Sequence, residues 1–243
     1  MTLLATEIVT GPRPEIVFAA DRRITLGGRR HAERRKVFRV PGKRAGIGYF
    51  GLAHLLSGGR QRYMDVWLSD FLQANSTLAT LSDLTGALAG ELNRVVPVAT
   101  RRRHISGFHL AGLNQAGQPE FWFVRNLADD RTTVVGNYAA REDFQRRDRA
   151  QLPFGAIQIY RNGDIRAHAV VWEHIDNSFG RLLGAPDFDR GVGPVAHMRW
   201  VQFKLEVIAH FYQRFCNTSI IGKPVDAVVI SPTGVRQSEG QRR

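Results

Sequence analysis

The chain is poor in cysteine, in long apolar runs and in acidic residues. Cys216 is the only cysteine in 243 residues, so no internal disulfide can form, and a reducing, cytoplasmic location is expected. No stretch approaches the roughly 20 consecutive apolar residues that span a bilayer, so no membrane partner is expected. After Met1, Thr2-Leu3-Leu4-Ala5-Thr6-Glu7 lacks a basic lead and is too short an apolar run for a signal peptide. The histidines keep no metal-ligand spacing and only one thiol is present, which argues against a metal site. Neither a Walker-type phosphate loop nor a Gly-x-Ser-x-Gly elbow occurs, so no cofactor is expected.

Acidic residues number 22 against 34 Lys and Arg, a net charge of +12. Such an excess attracts nucleic acid and acidic surfaces. The arginines are scattered through Arg22-Arg23, Arg29-Arg30, Arg34-Arg35-Lys36, Arg101-Arg102-Arg103, Arg146-Arg147 and Arg242-Arg243 with no nucleic-acid motif around them. Solvated basic faces are the simpler reading, and nucleic acid is not the expected main partner.

What the sequence does have is one domain's worth of core, read as residues 1–235, with a frayed basic tail over 236–243. Leu3 to Val9 and the apolar run Ile16-Val17-Phe18-Ala19-Ala20 predict two strands around Gly11-Pro12-Arg13-Pro14, the second buried on both faces. A basic loop is expected after Leu26-Gly27-Gly28, then two short strands, Val37 to Val40 and Ala45 to Phe50. Met64, Trp67, Leu68, Phe71 and Leu72 have helical spacing, as do Leu84, Leu88, Leu92 and Val95 behind a Ser82 cap. Strands resume at Ile105 to Leu113, Glu120 to Val124, and as a hairpin of Ala156 to Tyr160 with Ile165 to Trp172 around Asn162-Gly163. A helix over Met198 to Phe215 and a strand over Pro224 to Ile230 close the chain. Helices gathered in blocks between antiparallel strands predict an α+β fold, with helices covering the outer faces of two stacked sheets.

Phe18-Ala19-Ala20-Asp21-Arg22-Arg23-Ile24-Thr25-Leu26-Gly27-Gly28, then Arg35-Lys36-Val37-Phe38, then Gly48-Tyr49-Phe50-Gly51-Leu52-Ala53 resemble, in order and spacing, the proteasome β-subunits and their bacterial relatives among the N-terminal-nucleophile (Ntn) hydrolases. The resemblance is close over about the first 55 residues and holds in outline beyond. It implies a four-layer αββα sandwich, a homo-oligomeric ring, with any ATP-dependent unfoldase partner left open by the sequence, and hydrolysis of peptides or unfolded proteins by an N-terminal threonine. A free α-amino group, with an ordinary pKa of about 7.7 to 8.0, can act as general base for its own residue's hydroxyl. Thr2 meets that condition once Met1 is removed, and no propeptide is needed. By the resemblance, Lys36 favours the alkoxide, Asp21 holds Lys36, Arg23 completes the charge network, Gly51 supplies an oxyanion N–H and Tyr49 lines the specificity pocket.

The sequence departs from the family in several places. Thr2 and Asp21 are 19 positions apart, about three more than usual, which the Gly11–Pro14 turn accommodates cheaply. Where the family has a Gly-Ser-Gly turn, Val134-Val135-Gly136-Asn137-Tyr138 stands without a serine, and Asp176 and Ser178 match the supporting Asp and Ser only at the wrong mutual spacing. A catalytically silent relative acting as an oligomeric scaffold or binding component is the rival reading. A basic binder of nucleic acid or acidic protein is the third.

Overall fold

A computed structural model describes residues 3–26, 29–57, 59–128, 133–144, 156–164, 167, 171–182, 191–218 and 220–238. In chain order the strands are β1 (Leu3–Val9), β2 (Glu15–Asp21), β3 (Arg23–Leu26), β4 (Arg29–Glu33), β5 (Val37–Arg39), β6 (Ala45–Phe50), β7 (His54–Ser57), β8 (Arg60–Tyr63), β9 (Gly107–Leu113), β10 (Pro119–Leu127), β11 (Val134–Glu142), β12 (Ile157–Gly163), β13 (Val225–Ser231) and β14 (Gly234–Ser238). The helices are α1 (Met64–Ala74), α2 (Leu81–Val95), α3 (Val98–Arg103), α4 (Trp172–Leu182) and α5 (Pro194–Phe215).

Two five-stranded antiparallel sheets organise the chain, in the orders β12-β1-β2-β13-β14 and β11-β10-β9-β6-β5, giving the mixed α and β architecture expected of an α+β fold. The apolar run of β2 has its cause here: β1 lies on one side, β13 on the other, and Ile16 to Ala20 are all buried. Side chains alternate across each strand, and the hydrophobic clusters follow that alternation. Leu4, Ile8, Ile16, Phe18, Val228 and Ile230 of the first sheet pack against Val37, Phe50, Ala111, Phe121 and Phe123 of the second. On the opposite side of the first sheet, Leu3, Ala5, Val17 and Val229 meet Ile175 of α4 and Val201, Leu205 and Ile208 of α5. Ile47, Tyr49, Phe108 and Leu110 of the second sheet meet Leu68 and Phe71 of α1 and Leu84, Leu88 and Leu92 of α2. Each buried Leu or Ile contributes about 1.5–3 kcal/mol, so these contacts, rather than helix propensity, hold the helices in place.

Several elements differ from expectation. The basic loop after Leu26 is a hairpin, β3 with β4, and a second hairpin, β7 with β8, precedes α1. The α2 cap is Thr80 rather than Ser82: its hydroxyl accepts the Asp83 N–H while the Asp83 carboxylate accepts the Thr80 N–H. Asn162-Gly163 is no hairpin turn. It ends β12, which pairs along its length with β1, Leu4 opposite Asn162 and Leu3 opposite Gly163. Trp172, expected to close a strand, begins α4; most of the remaining expected strand from Ile165 lies outside the described residues. Residues 236–238, expected in a frayed tail, belong to β14, where Val235 faces Ile230 and Arg236 faces Val229. No helix among the described residues is long and apolar enough to cross a membrane.

Candidate active site

Asp21 ends β2 and Arg23 begins β3, so the chain turns from a central sheet strand into a hairpin across Arg22. The Asp21 carboxylate holds that step. Its Oδ2 accepts the Arg23 N–H at 3.2 Å and its Oδ1 accepts the Leu3 N–H at 2.8 Å, so one side chain ties the start of β1 to the end of β2. Lys36, between β4 and β5, completes the group: its Nζ donates to Asp21 Oδ1 at 3.0 Å and to the Arg23 carbonyl at 2.7 Å. Lys36 and Asp21 are both fully enclosed.

Burial of Lys36 drives its pKa below the ordinary lysine value, against the opposing pull of Asp21. An ammonium has three N–H donors, and the third on Lys36 has no acceptor among the described residues. Arg23 is buried too, and its guanidinium donates to the Ile221 carbonyl at 3.4 Å. It reaches there because residue 222 is glycine, where a Cβ would lie 2.2 Å from Arg23 Cζ. Burial, then the charge of Arg30, lowers the Arg23 pKa.

The Tyr49 N–H donates to the Lys36 carbonyl at 3.0 Å, and Gly51 follows two residues later, about 7 Å of extended chain at most. Gly51 has φ +89°, and a Cβ there would overlap the Ile105 carbonyl oxygen at 2.2 Å. Only glycine fits. It is exposed, and its N–H has no acceptor among the described residues. Tyr49, expected to line the specificity pocket, is 2% exposed and packs near Phe108 in the cluster beneath α1 and α2. Its hydroxyl is buried without a hydrogen-bond partner among the described residues, and burial pushes its pKa well above the ordinary tyrosine value.

The structure therefore brings Asp21, Arg23 and Lys36 together and sets Gly51 a short strand away. Thr2 lies outside the described residues; the next residue, Leu3, is held by Asp21.

The residues expected to support the site lie elsewhere, and other polar residues lie near the group. Val134 to Tyr138 belong to β11, at the far edge of the second sheet. The segment beside β1 is instead β12, which brings Asn162, Gly163 and the buried Asp164 to the Leu3 end. A serine does sit against Gly51, namely Ser106, whose Oγ lies 2.5 Å from the Tyr138 hydroxyl. Asp176 accepts from Lys204 at 2.8 Å in a separate group beneath α5, and Ser178 is exposed on α4. Asp226 on β13 was missed: it is fully buried, 3.6 Å from Arg22, and its charge raises the Lys36 pKa. An acid inside the run Val225 to Ile230 was the available signal. Among the described residues no group of His, Cys, Asp and Glu is placed to hold a metal ion. Neither protein-family models nor the curated proteins give a match to this chain.

Proposed function

We propose that the chain is a threonine-type peptidase of the proteasome β-subunit class, an Ntn hydrolase whose sheets and helices form a four-layer αββα sandwich. The observation that carries this reading is the enclosed Lys36–Asp21 pair, with Asp21 also holding the amide of Leu3. A buried ammonium is costly, and its retention within reach of the N-terminal strand suits a role in lowering the energy of an alkoxide. β1 enters beside this group with Leu3 facing α5 and Leu4 facing the space between the sheets, which supports an N-terminal site at this end of the strand.

In the proposed reaction the free Thr2 amine takes the proton from its own Oγ, and Oγ attacks the scissile carbonyl carbon. The Gly51 N–H stabilises the developing oxyanion. The amine's proton then passes to the leaving peptide nitrogen as the C–N bond breaks, leaving an ester on Thr2 that water hydrolyses. Lys36 stabilises the alkoxide electrostatically and Asp21 fixes Lys36. Peptides or unfolded proteins are the substrates. A closed homo-oligomeric ring and a cytoplasmic location belong to the same proposal, the second supported by the lone Cys216.

The test is a peptide epoxyketone, whose ring closure requires both the hydroxyl and the amine of one N-terminal threonine. Intact mass is expected to show loss of Met1 and one adduct, absent from Thr2→Ala. Folded, Met-free protein that takes no adduct would overturn the peptidase reading and favour the silent scaffold.

A further inference from the structure

The excess positive charge is concentrated in the stretch of sequence that carries most of the candidate site. From Arg22 to Tyr63 the sequence carries twelve Lys or Arg and one acidic residue, Glu33, so this stretch accounts for nearly all of the chain's +12. Five of the twelve, Arg23, Arg29, Arg30, Arg60 and Arg62, lie on two hairpins that both spring from the site. β3–β4 runs from Arg23 almost to Lys36, and β7–β8 begins three residues after Gly51. Contacts join the two: His31 lies 6.0 Å from His54 ring to ring, the Tyr63 hydroxyl lies 3.4 Å from His31 Nε2, and the Arg34 guanidinium sits 3.7 Å over the Tyr63 ring.

Local acids offset only part of this charge. Glu33 pairs with Arg30, Asp65 lies 3.8 Å from Arg34, and Asp70 lies 2.5 Å from Arg62. Arg29 and Arg60 are exposed with no ion-pair partner among the described residues. The positive field is felt at His54, whose pKa is lowered by burial and then by the charges of His31 and Arg34. Clustering like charges on two touching hairpins is unfavourable by itself, and an anionic ligand relieves it.

We propose that the joined hairpins form a docking surface for acidic peptide segments, which delivers acid-rich substrates to the neighbouring site. The proposal rests on the peptidase reading for its purpose, though not for its binding chemistry. The surface favours a peptide over a nucleic acid because β7–β8 is a two-stranded sheet whose outer edges pair with no further strand among the described residues. An extended peptide can pair with such an edge through its backbone while its carboxylates meet the arginines.

The experiment is fluorescence anisotropy on the full chain carrying Thr2→Ala, so that no probe is cleaved. The probes are a short Glu-rich peptide, its Lys-rich counterpart and single-stranded oligothymidylate of equal charge. The Glu-rich peptide is expected to bind about tenfold more tightly than the Lys-rich one, more weakly as salt rises, and about tenfold more weakly to Arg29→Glu/Arg60→Glu. Both substituted side chains are exposed, and the milder Arg29→Gln/Arg60→Gln is expected to show a smaller loss in the same direction. Equal binding of the two peptides overturns the proposal, as does an affinity unchanged in both double variants. Oligothymidylate binding more tightly than the Glu-rich peptide overturns it in favour of nucleic acid. Acidic-peptide binding without an epoxyketone adduct on the unsubstituted protein removes the peptidase reading and leaves this surface standing; an adduct without peptide preference does the reverse.

Discussion

At Lys36, two costs compete. Enclosing an ammonium disfavours its charged form, while the Asp21 carboxylate at 3.0 Å offsets only part of that. Replacing such a pair whole is often neutral, whereas removing one partner strands the other. Lys36→Met is therefore expected to destabilise the fold by about 3–5 kcal/mol and to abolish epoxyketone reactivity. Lys36→Met/Asp21→Asn is expected to recover part of the stability but none of the reactivity, because the neutral amide no longer needs a counter-charge. Urea denaturation of the three proteins measures this; a single variant within about 1 kcal/mol of the parent would show that the pair does not carry its charge as argued. Asp21, Arg23, Lys36 and Gly51 were picked out by the resemblance, and short connections within one hairpin and one strand pair account for Asp21, Arg23 and Lys36 coming together with Gly51 near by. Asp226 and Ser106 were not picked out, since long-range strand pairing brings them in: β13 beside β2, and β9 beside β6.

Elements show the same division between local and distant causes. The strands β1, β2, β5, β6, β9, β10 and β13 and the helices α1, α2 and α5 follow from apolar periodicity, which records the face each one buries. Asn162-Gly163 misled because that dipeptide favours a tight turn, a local preference outweighed here by seven register pairs between β12 and β1. That pairing places Asn162-Gly163-Asp164 beside the N-terminal strand. Ser82 misled for a smaller reason: Ser, Thr and Asp compete as caps within a few residues, and only geometry selects Thr80 with Asp83. Thr80→Ala is expected to cost about 1 kcal/mol and to lower Tm by about 2–4 °C. Ser82→Ala is expected to leave Tm nearly unchanged. Thermal melts of both variants separate the two caps, and equal losses would contradict the assignment.

Across the whole molecule, β1 is fixed on its helix side by a buried ionic group that draws on four elements. Glu7 of β1 accepts from Lys204 of α5 at 2.7 Å and lies 3.0 Å from His197 of the same helix. His197 also lies 3.3 Å from Glu15 of β2, and Lys204 reaches Asp176 of α4 at 2.8 Å. Burial alone would raise the Glu7 pKa, but His197 and Lys204 together lower it below 4.5. Burial likewise opposes charge on His197, and the carboxylates of Glu15 and Glu7 outweigh it, raising its pKa above 6.5. The signs then run oppositely with pH. The Glu7 contribution is present above 4.5 and lost as pH falls through its lowered value; the His197 contribution is present below 6.5 and lost as pH rises through its raised value. The group thus stabilises most between those limits. His197→Gln is expected to cost about 2 kcal/mol near pH 6, and less near pH 9, where the parent's imidazole is neutral and the charge it lost no longer separates the two proteins. Urea midpoints followed from pH 6 to pH 9 should therefore converge. Parallel curves would mean that His197 is held by packing alone, and that the strand presenting the N-terminal residues owes nothing to its charge.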